Sequence, residues 1–236
     1  MRARITLLLF AILNSFTCLA QTNFEKHFTK KSLRIDFALS GNWDFQAAAI
    51  QQLREEPVWA GPVKNLIDPF GYGGYYINVY DKAGKELIYS RGFNTLFEEW
   101  RSTEQAKTET QSWTNSISIP YPKAPVIIEI TARDKADMQF HPLLKQEIDP
   151  ASIFIDRGKL KENRITKIRY NGDSSGKVDL VFLAEGYTAD EQEKFVADAK
   201  RFTEALFKTP PYDTRREDFN VWAVDAVSEE SGTDVS

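Results

Sequence analysis

The sequence predicts an α+β protein: an antiparallel β-sandwich followed by the first strand–helix–strand of an α/β domain. Three observations carry that expectation. From Thr29 to Ile155, short runs rich in Tyr, Phe and Ile are divided by Gly- and Pro-bearing turns, as in antiparallel sheets packed face to face. Beyond residue 160 the pattern becomes an apolar strand, a capped amphipathic helix and a second apolar strand. Hydrophobic residues make up 42% and aromatics 13% of the 236 residues, which supplies a real core and excludes an intrinsically disordered chain.

The first segment stands apart from the fold. Arg2 and Arg4 precede the apolar run Ile5–Leu13, and Cys18-Leu19-Ala20 follows. A basic start, a short apolar stretch and a small residue describe a secretory signal peptide over residues 1–20, cleaved after Ala20. The run is shorter than the roughly 20 residues a membrane-spanning helix needs. A second reading makes Cys18 a lipid-anchored residue. Cleavage leaves 28 basic against 34 acidic residues, a net charge of −6, and removes the one cysteine, so disulfides are unavailable. Without a basic excess, nucleic acid is excluded as a partner class. The expected location is exported: periplasmic, secreted or on a bacterial cell surface.

The β region is expected over residues 21–159. Leu33–Leu39 alternates apolar and polar and stops at Ser40-Gly41-Asn42. Ala47–Glu55 has the composition of a helix and the neighbours of a strand. Tyr75–Tyr80, the turn Asp81-Lys82-Ala83-Gly84, and Glu86–Tyr89 form a hairpin signal. Ile117–Ile119, Pro120-Tyr121-Pro122 and Val126–Ile130 repeat strand, turn, strand.

A polar stretch, Lys159–Arg164, marks the expected boundary to residues 160–236. Ile165–Tyr170 reads as a short strand and Val178–Ala184 as a buried one. Thr188 and Glu191 make a capping box, in which the hydroxyl and carboxylate satisfy each other's backbone N–H groups. Phe195, Ala199, Phe202 and Leu206 form the helix stripe, and Pro210-Pro211 stops it. Phe219–Val227 is the next strand, parallel to the first across a helical crossover.

The motifs that carry chemistry are few. Gly172-Asp173-Ser174-Ser175-Gly176 matches a nucleophile elbow in letters, but a strand follows it and no His lies beyond His141; it reads as a hairpin turn. As a calcium loop it also fails, because position twelve is Phe182 rather than a bidentate Glu. Gly71-Tyr72-Gly73-Gly74-Tyr75-Tyr76 reads as a glycine-permitted turn or bulge, with aromatics that could stack on a sugar or a peptide. His27 and His141 lack a second His at metal-ligand spacing. Glu185 and Tyr187 follow the first apolar strand, and Asp225 and Glu229 the next. Strand ends of this kind gather ligands in open α/β sheets, so these four are the candidate lining of a substrate cleft. The plain alternative for Glu185 is a carboxylate favourably placed near a helix N-terminus.

Val178–Thr188 (VDLVFLAEGYT), Phe219–Val224 and Ser228–Asp234 resemble the opening of the catalytic domain in the bacterial IgA-peptidase family of zinc metallopeptidases. Gly71–Tyr80 and Gly92–Phe97 resemble that family's N-terminal β domain. The resemblance implies a zincin-like catalytic domain, a protein or peptide substrate, and zinc held by a helical H-E-x-x-H motif whose Glu activates the metal-bound water. No such motif occurs in the 236 residues, so no catalytic or metal-ligating residue carries over onto them. The expectation is the N-terminal part of an exported zinc endopeptidase, itself binding no zinc and inactive. The alternative is a non-enzymatic exported β-sandwich module that binds a surface glycan or protein.

Overall fold

The computed structural model describes residues 23–83, 85–159 and 163–232. The expected signal peptide, with Cys18 and its cleavage site, lies outside them, as do Gly84 of the hairpin turn and part of the Lys159–Arg164 boundary.

A single helical turn, α1 (Phe24–His27), leads into β1 (Phe28–Gly41), the strand around which the first sheet forms. Its alternation puts Leu33, Ile35, Phe37 and Leu39 in the core, while Arg34 reaches Asp36 on the other face at 2.8 Å. The ambiguous segment is a strand, β2 (Gln46–Glu56), antiparallel to β1 with Leu39 opposite Ala48 and Ile35 opposite Leu53. Pairing along β1 outweighs its helical composition, and Ala48, Ile50 and Leu53 pack against the core.

The expected hairpin forms as β3 (Tyr75–Asp81) and β4 (Leu87–Phe93), paired antiparallel. A short helix, α2 (Leu96–Trp100), follows; Thr95 caps it by accepting from the Glu98 N–H at 3.2 Å. Next come β5 (Gln111–Pro122), β6 (Val126–Arg133), β7 (Phe140–Ile148) and the two-residue β8 (Ile155–Asp156). The sheets run β5-β1-β2-β8 and β4-β3-β6-β7, antiparallel except for the short β2–β8 contact. The Pro120-Tyr121-Pro122 segment is not a turn between neighbours. It is the end of edge strand β5, after which the chain crosses to the other sheet; an edge tolerates proline because no second partner needs its missing N–H. Both inner faces meet in one core, with Phe37 edge-on to Phe93 at 6.0 Å and Phe28 edge-on to Tyr89 at 6.4 Å.

The later residues form a separate three-stranded sheet from β9 (Ile165–Arg169), β10 (Val178–Leu183) and β11 (Phe219–Val224), in the order β10-β11-β9. As expected, β10 and β11 are parallel, Val178 opposite Phe219 through Leu183 opposite Val224. β9 is antiparallel to β11, so Gly172–Gly176 joins strands that are not neighbours and is no hairpin turn. It is a single 3-10 turn, closed by the Asp173 carboxylate on the Ser175 N–H at 2.9 Å. The buried Asn220 side chain holds it against the sheet, donating to the Gly172 carbonyl and accepting from the Asn171 N–H.

Helix α3 (Gln192–Leu206) carries Phe195 and Ala199 inward as the stripe requires, but Phe202 is exposed and Thr203 is buried instead. Four-residue steps continue from 195 to 207, and Thr203 hides its polarity by donating its hydroxyl to the Ala199 carbonyl at 2.7 Å. β10 also departs from expectation. It is a sheet edge rather than a buried strand, with Val178, Val181 and Leu183 exposed.

Candidate functional site

Because β10 and β11 are parallel, the chain leaves both at the same edge of the sheet, and the two following loops meet there. Ala184 first extends the pairing, its N–H donating to the Val224 carbonyl at 3.1 Å. Three bonds then tie residues 186–187 to residues 228–232. The Gly186 N–H donates to the Ser228 Oγ at 2.8 Å, the Ser228 N–H to the Tyr187 carbonyl at 2.9 Å, and the Gly232 N–H to the Gly186 carbonyl at 2.8 Å. Gly186 sits at φ 70°, and a Cβ there would lie 2.3 Å from the Gly232 carbonyl oxygen, so glycine is required for both conformation and space.

The same loops are pinned to the start of the helix. The capping box forms, the Glu191 carboxylate accepting from the Thr188 N–H at 3.0 Å and, through its other oxygen, from the Ser231 hydroxyl at 2.9 Å. These bonds, the Thr188 N–H foremost, hold the Glu191 carboxyl below its usual range.

Of the four residues singled out in the sequence, Glu185 and Glu229 are exposed on these loops. Tyr187 packs its ring against Phe195 at 5.2 Å and donates its hydroxyl to Asp198 at 3.2 Å, joining loop to helix. Asp225 is buried at the end of β11, one carboxylate oxygen accepting from Arg164 Nε at 2.7 Å and the other without a protein partner. The structure thus brings Glu185, Tyr187 and Glu229 to one bridged pair of loops and sets Asp225 beneath it, in an ion pair. Gly186, Ser228, Ser231 and Arg164 complete the arrangement; the first three lie in the segments Val178–Thr188 and Ser228–Asp234 quoted from the sequence, but none of the four was assigned a role there. A glycine in the turn after β10 was the one available signal for the first of them; the other three act through partners distant in sequence.

Chemically, this edge presents carboxylates and ordered backbone, and it contains no imidazole. His27 lies in α1, where burial, then the Lys26 charge, pushes its pKa down. His141 lies on β7, its Nε2 2.8 Å from Asp137. Among the described residues, no three His, Cys, Asp or Glu side chains come together so as to hold a metal ion. The described residues therefore do not fit a zinc centre, and no hydrolytic step follows from them. Among the described residues, no helix is long and apolar enough to cross a membrane.

Residues 23–143 match the family model described as Peptidase M64 N-terminus, and residues 166–236 match that described as IgA Peptidase M64. No curated protein matches the chain. The chain belongs to the M64 peptidase family.

Proposed function

From that membership we propose that these residues are the N-terminal accessory domain and the opening strand–helix–strand of an exported zinc-dependent endopeptidase, whose metal-binding motif lies outside them. The observation that carries the reading is the order of the two family matches along one chain. The sheet of residues 165–224 agrees with it. Helix α3 packs on one face through Phe195 and Ala199, whereas Val181, Leu183 and Ile165 are exposed, as a sheet awaiting another layer would leave them. Glu185 and Glu229 would then flank the approach of a peptide substrate.

The test is an assay of the purified chain with zinc and an unstructured protein substrate, with and without a chelator. The chain alone should be inert, because catalytic zinc needs three protein ligands plus an open water position. Extended through the reading frame downstream of its codons, it should gain chelator-sensitive hydrolysis, and the exported form should begin at Gln21. Chelator-sensitive cleavage by the 236 residues, retained by the His27→Ala/His141→Ala double variant, would overturn the reading.

A further inference from the structure

The strands at the edges of the two sandwich sheets do not end them alike. β8 is only two residues long, and β7 carries Pro142, a register shift and the exposed Lys145, features that discourage further pairing. β4 is covered: the Ser90 N–H donates to the Leu66 carbonyl at 2.9 Å and the Gly92 N–H to the Asp68 carboxylate at 3.0 Å. β5 has none of these devices between Gln111 and Ile119. That stretch pairs with β1 without a register shift, Gly41 opposite Gln111 through Leu33 opposite Ile119. Beyond that ladder, the one hydrogen bond to its backbone among the described residues is local, the Asn115 amide donating to the Trp113 carbonyl at 3.0 Å. The far side of the strand is left as a row of N–H and C=O groups open to another strand.

The side chains of this edge are as unusual as its backbone. From Gln111 to Ile119 none is charged. Ser112, Thr114, Ser116 and Ser118 set hydroxyls in a row on the outer face, the first three exposed. Trp113 and Ile117 lie on the inner face, partly buried against the core. The first charges beyond the two ends are Glu109 and Lys123, both exposed. Glu109 accepts from the Gln105 and Gln111 amides and Lys123 donates to the Glu25 carbonyl, so neither has an ionic partner among the described residues.

We propose that β5 docks against β5 of a second copy of this chain, antiparallel about a twofold axis at Asn115, so that the two sandwiches share one continuous sheet. A twofold contact uses the same patch on both copies, and this strand is complementary to itself. In that register Trp113 lies opposite Ile117 of the second copy on the inner face. On the outer face Thr114 meets Ser116 of the second copy, and Ser112 meets its Ser118. Aromatic–β-branched and hydroxyl–hydroxyl pairs are both favourable across strands. Charge sets the direction. Antiparallel pairing brings Glu109 of each copy toward Lys123 of the other at both ends, whereas parallel pairing would set like charges side by side. An unrelated extended peptide would gain the backbone bonds without the matched pairs or the complementary ends. A contact made by one strand from each copy is small, so the dimer is weak and depends on concentration. The inference stands independently of the peptidase reading.

The test is sedimentation equilibrium of the purified chain over a concentration series reaching a few hundred micromolar. The average mass should rise from that of one chain toward twice that value. Thr114→Lys/Ser116→Lys sets lysines directly opposite each other across the axis and should weaken self-association at least roughly tenfold. Both sites are exposed, and the second faces Asp36 within the chain, so the melting temperature should not change. In a Cys18→Ser background, Asn115→Cys should form a disulfide dimer on air oxidation, because residues paired at the axis fall within the about 4.4–6.8 Å Cα separation a disulfide spans. Ser112→Cys, roughly 20 Å from its own copy in this register, should not. A chain that stays monomeric, even one whose β5 edge takes up an unrelated extended peptide, would overturn the proposal. So would normally folded lysine variants that associate as before, or crosslinking equally efficient at positions 112 and 115.

Discussion

The sandwich buries Phe28, Leu33, Ile35, Phe37 and Leu39 of one strand against Ile77, Val79, Ile128 and Ile130 of the opposite sheet, each almost wholly removed from solvent. The strand–helix–strand region buries Ala184, Phe195, Ala199 and Ala223 as its central cluster, three alanines around one ring, with Val221 and Phe207 also buried. Apolar side chains are plentiful in both, but in the second many of them face outward, Leu183 at 68% exposure among them. Two sheets that cover each other complete a core, whereas one sheet with a single helix on one face does not. The difference is one of layers, not of composition.

The sharpest test separates the two regions thermally. Phe37→Ala removes a fully buried ring from the sandwich and should destabilise it by about 3–5 kcal/mol, leaving the strand–helix–strand region unchanged. Phe195→Ala removes the one large side chain of the small cluster and should abolish hydrogen-exchange protection in β10 and β11 without moving the sandwich transition. A fragment from Gln21 to Lys159 should still melt cooperatively. If Phe195→Ala shifts the sandwich transition, or the fragment fails to fold, the two regions are one cooperative unit and the comparison breaks.

A smaller effect is expected at the bridged loops. Gly186→Ala places a Cβ 2.3 Å from the Gly232 carbonyl in a left-handed backbone conformation, at a cost of about 1–2 kcal/mol for the handedness alone. The amides of Gly186 and Ser228 should lose protection together, because their bonds link the same two loops. Gly73→Ala is the matching change in the sandwich, where a Cβ would meet the Phe93 carbonyl at 2.8 Å and φ is 95°. There the larger core should confine the damage to the loop beside Tyr72. Spread of the Gly73→Ala effect through the whole sandwich would show that its core is less self-sufficient than its packing indicates.

What could be read from the sequence follows the range of the interaction that decides it. The alternation of β1, the β3–β4 hairpin and the Thr188–Glu191 capping box are local, and each is where the pattern placed it. The strand character of β2 depended on its pairing with β1, which composition does not express. Pro120-Tyr121-Pro122 reads as a turn but marks a change of sheet, visible only once both sheets exist. The apolar run Val178–Ala184 shows that a strand forms, not that it lies at an edge. At the candidate site, the strand ends were legible, whereas Asp225's ion pair with Arg164 and Ser231's bond to Glu191 join residues far apart in sequence.

The finest contrast is a carboxyl titration on α3. Asp198 lies 3.0 Å from Lys194 Nζ on one oxygen and 3.0 Å from Arg201 Nη2 on the other, with the Tyr187 hydroxyl at 3.2 Å. These partners, Lys194 and Arg201 foremost, lower its pKa from 3.8 to about 2. A carboxyl lowered in the folded state favours folding above its unfolded value, and that contribution fades as the pH falls through the folded value. The network should therefore persist well into acid and disappear near pH 2, with only a small effect on stability because Asp198 is only half-buried and its partners Lys194 and Arg201 are exposed. Carboxyl-detected NMR of Asp198 should give a midpoint near that value, moving up toward the ordinary range in Lys194→Ala and, by less, in Tyr187→Phe. The second variant matters more, since Tyr187 belongs to the candidate loop while Asp198 belongs to the helix. A midpoint at the ordinary value, or one indifferent to Tyr187→Phe, would mean that this hydroxyl does not hold loop and helix together, leaving the Tyr187–Phe195 ring contact, the Gln192 side chain's bonds to the Tyr187 and Thr188 carbonyls and the Glu191 bonds to do so.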